Sequence, residues 1–202
     1  QQLNSLAPLA NLRVPRDLTI VGSIVSEIPV FNNIEALDGD LEIMSCPNIQ
    51  DLSDPFPFLE TVNGNVTIVF NEGVQAIGLQ ALRIADEISF NGQSILASLA
   101  LPALVEANSL SIIGSGALKD LEQLSKVQKI NRLVVLNNPL LADLNAGTQL
   151  EYVGTAWIRE NALLDDFCML QQASIIGTIF DYDVQGNQYN PALADLATAC
   201  IQ

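Results

Sequence analysis

The sequence predicts a mostly β, right-handed solenoid, with a small cap containing helix at its C-terminal end. Three observations predict it. One line of alternating apolar residues recurs eight times, its spacing is nearly constant, and no coil holds an amphipathic run of the 10–15 residues that a helical repeat needs.

The lines are "DLTIVGS" from Asp17, "DLEIMSC" from Asp40, "NVTIVFN" from Asn65, "EISFNGQ" from Glu87, "SLSIIGS" from Ser109, "RLVVLNN" from Arg132, "TAWIREN" from Thr155 and "DYDVQGN" from Asp181. Their first apolar residues are Leu18, Leu41, Val66, Ile88, Leu110, Leu133, Ala156 and Tyr182, spaced by 23, 25, 22, 22, 23, 23 and 26 residues. A repeat near 23 is a solenoid period. In each line two apolar residues at period 2 point inward from a short strand. The expected strands are 18–20, 41–43, 66–68, 88–90, 110–112, 133–135 and 156–158, all parallel, because a hairpin would make neighbours antiparallel. The eight coils, at the parallel-strand spacing of about 4.8 Å, give a stack of roughly 38 Å.

Five positions after the first apolar residue comes a turn slot: Ser23, Cys46, Asn71, Gln93, Ser115, Asn138, Asn161 and Asn187. Most of these side chains bond backbone from inside a bend, so stacking would align them into a polar ladder. Two apolar residues then return to the core: Ile49 and Leu52, Val74 and Ile77, Ile95 and Leu99, Leu118 and Leu121, Leu140 and Leu144, Leu163 and Phe167. Short β-like pieces such as "FLETVNG", "LVEANS", "KVQKIN" and "LEYVGT" lead into the next line.

The ends depart from the period. Residues 1–16 carry part of a repeat and are expected to cap the first coil. Residues 168–202 contain "MLQQASII" and "NPALADLATAC", both short helix candidates, the second opening at Pro191. Solenoids need such caps on their open ends. No linker divides the chain, so residues 1–202 read as one domain, with repeats over 17–167.

Composition narrows the function. Eight Lys and Arg against 23 Asp and Glu give a net charge of −15, which disfavours nucleic acid and anionic membrane. The absence of histidine removes His-based triads and HExxH zinc sites. No apolar run is long enough to span a bilayer, and the opening "QQLNSLAPLA" lacks a signal-peptide pattern, as in a mature or trimmed form.

The pattern "L-x-I-x-x-N-P-x-L-x-x-L", followed by "L-x-x-V-x-G-x-L", resembles the receptor L-domain, the leucine-rich-repeat-like solenoid of insulin- and EGF-receptor ectodomains. The resemblance covers roughly residues 12–167. The ending, with "D-F-C" and "Y-x-V-x-G-N-x-Y-N-P", resembles the terminal cap of secreted bacterial cell-surface members. The resemblance implies the fold and a secreted or cell-surface location. It transfers no catalytic residue and no cofactor.

Three cysteines remain: Cys46, Cys168 and Cys200. Cys46 occupies the turn slot, as a buried structural thiol or a reactive one. Cys168 and Cys200 bracket the cap. A disulfide between them would close a loop of about 32 residues, contribute on the order of 3 kcal/mol and imply an oxidising compartment. The alternative is two free thiols.

Candidate chemistry is sparse. Asp38, Asp40 and Glu42 alternate along one line, and Asp181 and Asp183 along another. Such carboxylates serve glycoside hydrolysis or calcium binding, or form a solvated acidic face. "NVT" at Asn65 is a glycosylation sequon or a chance match. The outward ladder is Thr19, Glu42, Thr67, Ser89, Ser111, Val134, Trp157 and Asp183. Trp157, the single tryptophan, is either an exposed contact for sugar or protein or is covered by a loop or by the cap. The expected ligand face is Glu42, Thr67, Val134, Trp157 and Asp183. The reading is a non-catalytic extracellular or cell-surface recognition module, with no cofactor or metal, for a protein or glycan ligand. The alternatives are a structural or adhesive surface module without a discrete ligand, and an enzyme acting on polysaccharide.

Overall fold

Inward apolar pairs that recur every 22–26 residues can share one core only if the chain coils, so that each line pairs with the one before it. The computed structural model has this arrangement. It describes residues 5–13, 15–144 and 150–199. The chain is a parallel β-solenoid of about seven turns, 34% strand and 12% helix.

In chain order the strands are β1 (Leu18–Val21), β2 (Ala36–Leu37), β3 (Leu41–Met44), β4 (Asp51–Leu52), β5 (Thr61–Val62), β6 (Val66–Val69), β7 (Ala76–Gly78), β8 (Ile84–Asn91), β9 (Ser98–Ala100), β10 (Glu106–Ile113), β11 (Lys129–Leu136), β12 (Tyr152–Arg159) and β13 (Asp181–Gln185). The main sheet runs β1-β3-β6-β8-β10-β11-β12-β13, with β2 and β5 alongside, and β4-β7-β9 form a second, smaller sheet. The main sheet pairs in parallel in the expected register, Leu18 to Leu41 to Val66 to Ile88 to Leu110 to Leu133 to Ala156 to Tyr182. The short lead-in pieces are β2, β5 and the first halves of β8, β10, β11 and β12.

One contiguous apolar core runs the length of the stack. At one corner Phe31 and Phe56 stack with ring centroids 5.2 Å apart. The following coils fill the same position with Leu79, Leu101 and Leu124, all buried.

The turn slots form the expected ladder, and its bonds follow one rule. Asn71, Asn138, Asn161 and Asn187 each donate Nδ2–H to the carbonyl three residues before the preceding coil's slot: Ile43 at 2.9 Å, Ile112 at 3.1 Å, Val135 at 3.0 Å and Ile158 at 2.8 Å. Their Oδ1 atoms accept the backbone N–H of the preceding slot: Cys46 at 2.9 Å, Ser115 at 2.9 Å, Asn138 at 3.0 Å and Asn161 at 3.0 Å. Asparagine suits the slot because its short amide offers donor and acceptor together. Cys46 points its Sγ at the Ile20 carbonyl, 3.7 Å away, and at the Met44 carbonyl, 3.3 Å away. The ladder breaks in the middle. Gln93 reaches the Ile68 carbonyl, but its Oε1 and the Ser115 Oγ are buried without a partner.

The residue before each slot is left-handed in all eight coils: Gly22, Ser45, Phe70, Gly92, Gly114, Asn137, Glu160 and Gly186, with φ between 54° and 69°. This conformation turns the chain out of the strand and aims the slot inward. It costs L-residues about 1–2 kcal/mol, which explains four glycines and leaves Ser45, Phe70 and Glu160 as outliers.

Three core assignments from the sequence need correction. Leu96, Leu141 and Leu164 are fully buried, whereas the expected Ile95, Leu140 and Leu163 are 43%, 42% and 44% exposed. The turn closes from the slot carbonyl to the N–H three residues on, as in Leu96 to Gln93, Leu141 to Asn138 and Leu164 to Asn161. That closure, rather than the apolar run, selects which neighbour points in.

At the C-terminal end, a 3-10 turn at Cys168–Leu170 leads into α1 (Gln171–Ile176), which Gly177 ends at φ 81°. A second 3-10 turn, Leu193–Asp195, leads into α2 (Leu196–Ala199). Pro191 precedes this segment, and its carbonyl accepts the Tyr182 hydroxyl at 2.9 Å. The N-terminal segment carries a 3-10 helix at Ala7–Asn11. Among the described residues no helix is long and apolar enough to cross a membrane.

Candidate functional site

Strand alternation that sends Leu133, Ala156 and Ile158 inward sends the residues between them outward. Trp157 therefore lies on the open face of the main sheet, opposite Val134 on β11 and Asp183 on β13. Its indole is fixed on several sides. Nε1–H donates to Asp181 Oδ2 at 3.0 Å. The Arg132 guanidinium lies over the ring, 4.6 Å from its centroid, and that of Arg159 lies 5.7 Å away. Arg159 is paired with Asp183. Trp157 thus points outward, as expected, but is only partly exposed.

Of the five residues expected on a ligand face, the fold gathers three. Val134, Trp157 and Asp183 are neighbours on β11, β12 and β13. Thr67 and Glu42 lie on the same face four and five strands away, about 19 and 24 Å at the parallel spacing. Val134 is 5% exposed despite facing outward, and it is the in-register neighbour of Trp157. Arg132 and Arg159 escaped the sequence reading, and Asp181 entered it only as one of an acidic pair with Asp183, not as a partner of the indole. Arg132, Arg159 and Asp181 occupy the rows two residues before and after the outward ladder, so the same period carried the signal.

The acidic residues are engaged in holding coils together. Glu42 accepts a bond from Thr19 Oγ1 at 3.1 Å. Asp40 accepts the Asn65 N–H at 2.7 Å, and Asp17 accepts the Asp40 N–H at 3.0 Å. Asp38 lies in the corner before β3 and accepts from Asn63 Nδ2 at 3.4 Å. Among the described residues no group of three or more Asp, Glu or Cys is placed to hold a metal ion. The sequon residue Asn65 is partly exposed beside Gly64, whose missing Cβ makes room for Asp40 and the Gly39 backbone.

No family model matches the chain. No curated protein and no solved structure matches it either. Function is therefore read from the site's own chemistry.

Cys46 is free and fully buried, and burial pushes its thiol up from the ordinary value. That fits the structural reading of this residue. The expected partner of Cys168, Cys200, lies outside the described residues. A surface depression of about 270 Å³ lies on the main face beside Trp157, and another of about 310 Å³ lies at the corner by Asn63, Asp86 and Asn108.

Proposed function

We propose that the chain is a non-catalytic recognition module of the receptor L-domain type, secreted or displayed at a cell surface. It meets a protein or carbohydrate ligand on the open face of its main sheet. The observation that carries this reading is the fixed, outward-facing Trp157. Asp181 and Arg132 hold it in place, so little side-chain entropy is lost when a partner covers it. Tryptophan and arginine are the side chains that most often dominate binding energy. The bonds made by Asp40, Glu42, Asp181 and Asp183 to neighbouring coils support the non-catalytic side. A Cys168–Cys200 disulfide, also proposed here, belongs to an oxidising compartment.

A protein and glycan array tests the reading. Binding to a discrete ligand, weakened at least about tenfold by Trp157→Ala in a variant with unchanged circular dichroism, is the expected result. Silence on both arrays, or a variant that binds like the parent, would overturn it.

A further inference from the structure

We propose that the depression beside Trp157 takes one carboxylated sugar residue, such as a terminal uronic acid on a glycan. This rests on the recognition reading and names the ligand class of that site. The hollow, about 270 Å³, is smaller than the range of about 300–1,000 Å³ typical of drug-sized ligands and suits a single ring. Ser89, Ser109, Ser111, Arg132, Trp157 and Glu87 are among its lining, and the register places Ser109 between Glu87 and Arg132.

Arg132 supplies the charge argument. The other cations of the main sheet are paired, Lys129 with Glu106 and Arg159 with Asp183. Among the described residues Arg132 has no carboxylate within ion-pair distance, in a chain of net charge −15. Its guanidinium is exposed and lies over the indole, which orients it without using its N–H donors. A planar, oriented guanidinium is the natural partner of a carboxylate, through two parallel bonds.

The serines fit ring hydroxyls. Ser89 Oγ accepts a bond from Asn91 Nδ2 at 2.8 Å, so its own hydrogen remains to donate. Ser111 Oγ donates to Asn91 Oδ1 at 3.5 Å, so its lone pairs remain to accept. Glu87 pairs with Ser109 in register, and Ser109 with Arg132. Glu87 and Arg132 are therefore two strands apart, about 9.6 Å. A carboxylate there accepts a sugar hydroxyl and repels a second anionic residue. That repulsion, added to the net charge, favours a singly charged sugar over a polyuronate.

The test titrates the chain with methyl β-glucuronide and methyl β-glucoside at millimolar concentration, following emission from Trp157. A saturable change with the glucuronide, at least about tenfold weaker with the glucoside, is expected. Arg132→Gln should remove that preference, and Ser111→Ala should weaken both sugars. Equal response to the two sugars, an unaltered preference in Arg132→Gln, or tighter binding of polygalacturonate would overturn the proposal. So would saturable binding of an acidic peptide in place of the glucuronide. If the glucuronide fails while an array ligand still depends on Trp157, the ligand class is wrong and the recognition reading stands. If no array ligand depends on Trp157 either, both fall.

Discussion

The ring of Phe70 lies over the α-carbon of Gly92 in the next coil, so that a Cβ added to Gly92 would sit 2.7 Å from Phe70 Cδ1. Both residues are left-handed, at φ 56° and 68°, and Phe70 is 63% exposed. Gly92→Ala meets the backbone penalty and the ring at once. It should cost about 2 kcal/mol or more. In a Phe70→Ala background the ring is gone, and the cost should fall by about 1 kcal/mol. Urea denaturation of the four proteins measures the coupling. Additive costs would show that the ring does not cover the glycine.

The break in the ladder predicts a stabilising change. Ser115→Asn places an amide where the neighbouring coils have one. Its Nδ2 would reach the Phe90 carbonyl and its Oδ1 the Gln93 N–H, by the rule seen at Asn71, Asn138, Asn161 and Asn187. A gain of about 1 kcal/mol is expected in denaturation. Asn138→Ala is the converse. It removes the bonds to the Ile112 carbonyl and the Ser115 N–H and should cost about 2–3 kcal/mol or more.

Trp157→Ala should not be neutral. The indole sits opposite the nearly buried Val134 and is bonded to Asp181. A loss of about 1–2 kcal/mol is expected, below that of a fully buried tryptophan. Asp181→Ala frees the indole N–H and should shift emission to the red while leaving the fold intact. Unchanged emission in that variant would mean that the bond is absent in solution.

Stability should fall on the alkaline side. Burial raises the Cys46 thiol above its ordinary 9.0 and the Tyr182 hydroxyl above its ordinary 10.0. Each group holds its proton more tightly folded than unfolded. The linked stability is complete below the unfolded values and is lost as pH rises through the folded ones. Urea midpoints should therefore begin to drop above about pH 9 and keep falling beyond about pH 11. Tyr182→Phe should flatten the upper part of that fall, whatever it loses from the bond to Pro191.

Thiol labelling checks the cysteines. The native protein, without reductant, should label at no site. Unfolding without reductant should expose Cys46 alone. Three labelled cysteines would remove the Cys168–Cys200 disulfide and with it the support for an oxidising compartment.

The eight strand lines and their register were legible in the sequence, because a strand buried on one face fixes its register through the alternation of its own side chains. The turn slots were legible for a similar reason, since a buried bend needs side chains that satisfy backbone groups. Leu96, Leu141 and Leu164 were not, because an adjacent apolar pair such as Ile95-Leu96 offers two candidates and only the closed turn selects one. The left-handed column was hidden wherever Ser45, Phe70 or Glu160 stands in place of glycine. The site was half legible. Alternation alone placed Trp157 on the open face. The stack of Arg132 on Trp157 joins residues 25 positions apart on neighbouring coils, and the free guanidinium depends on which carboxylates other coils bring within reach. Charge pairing across coils is a matter of distance in space, so only the tertiary structure decided it.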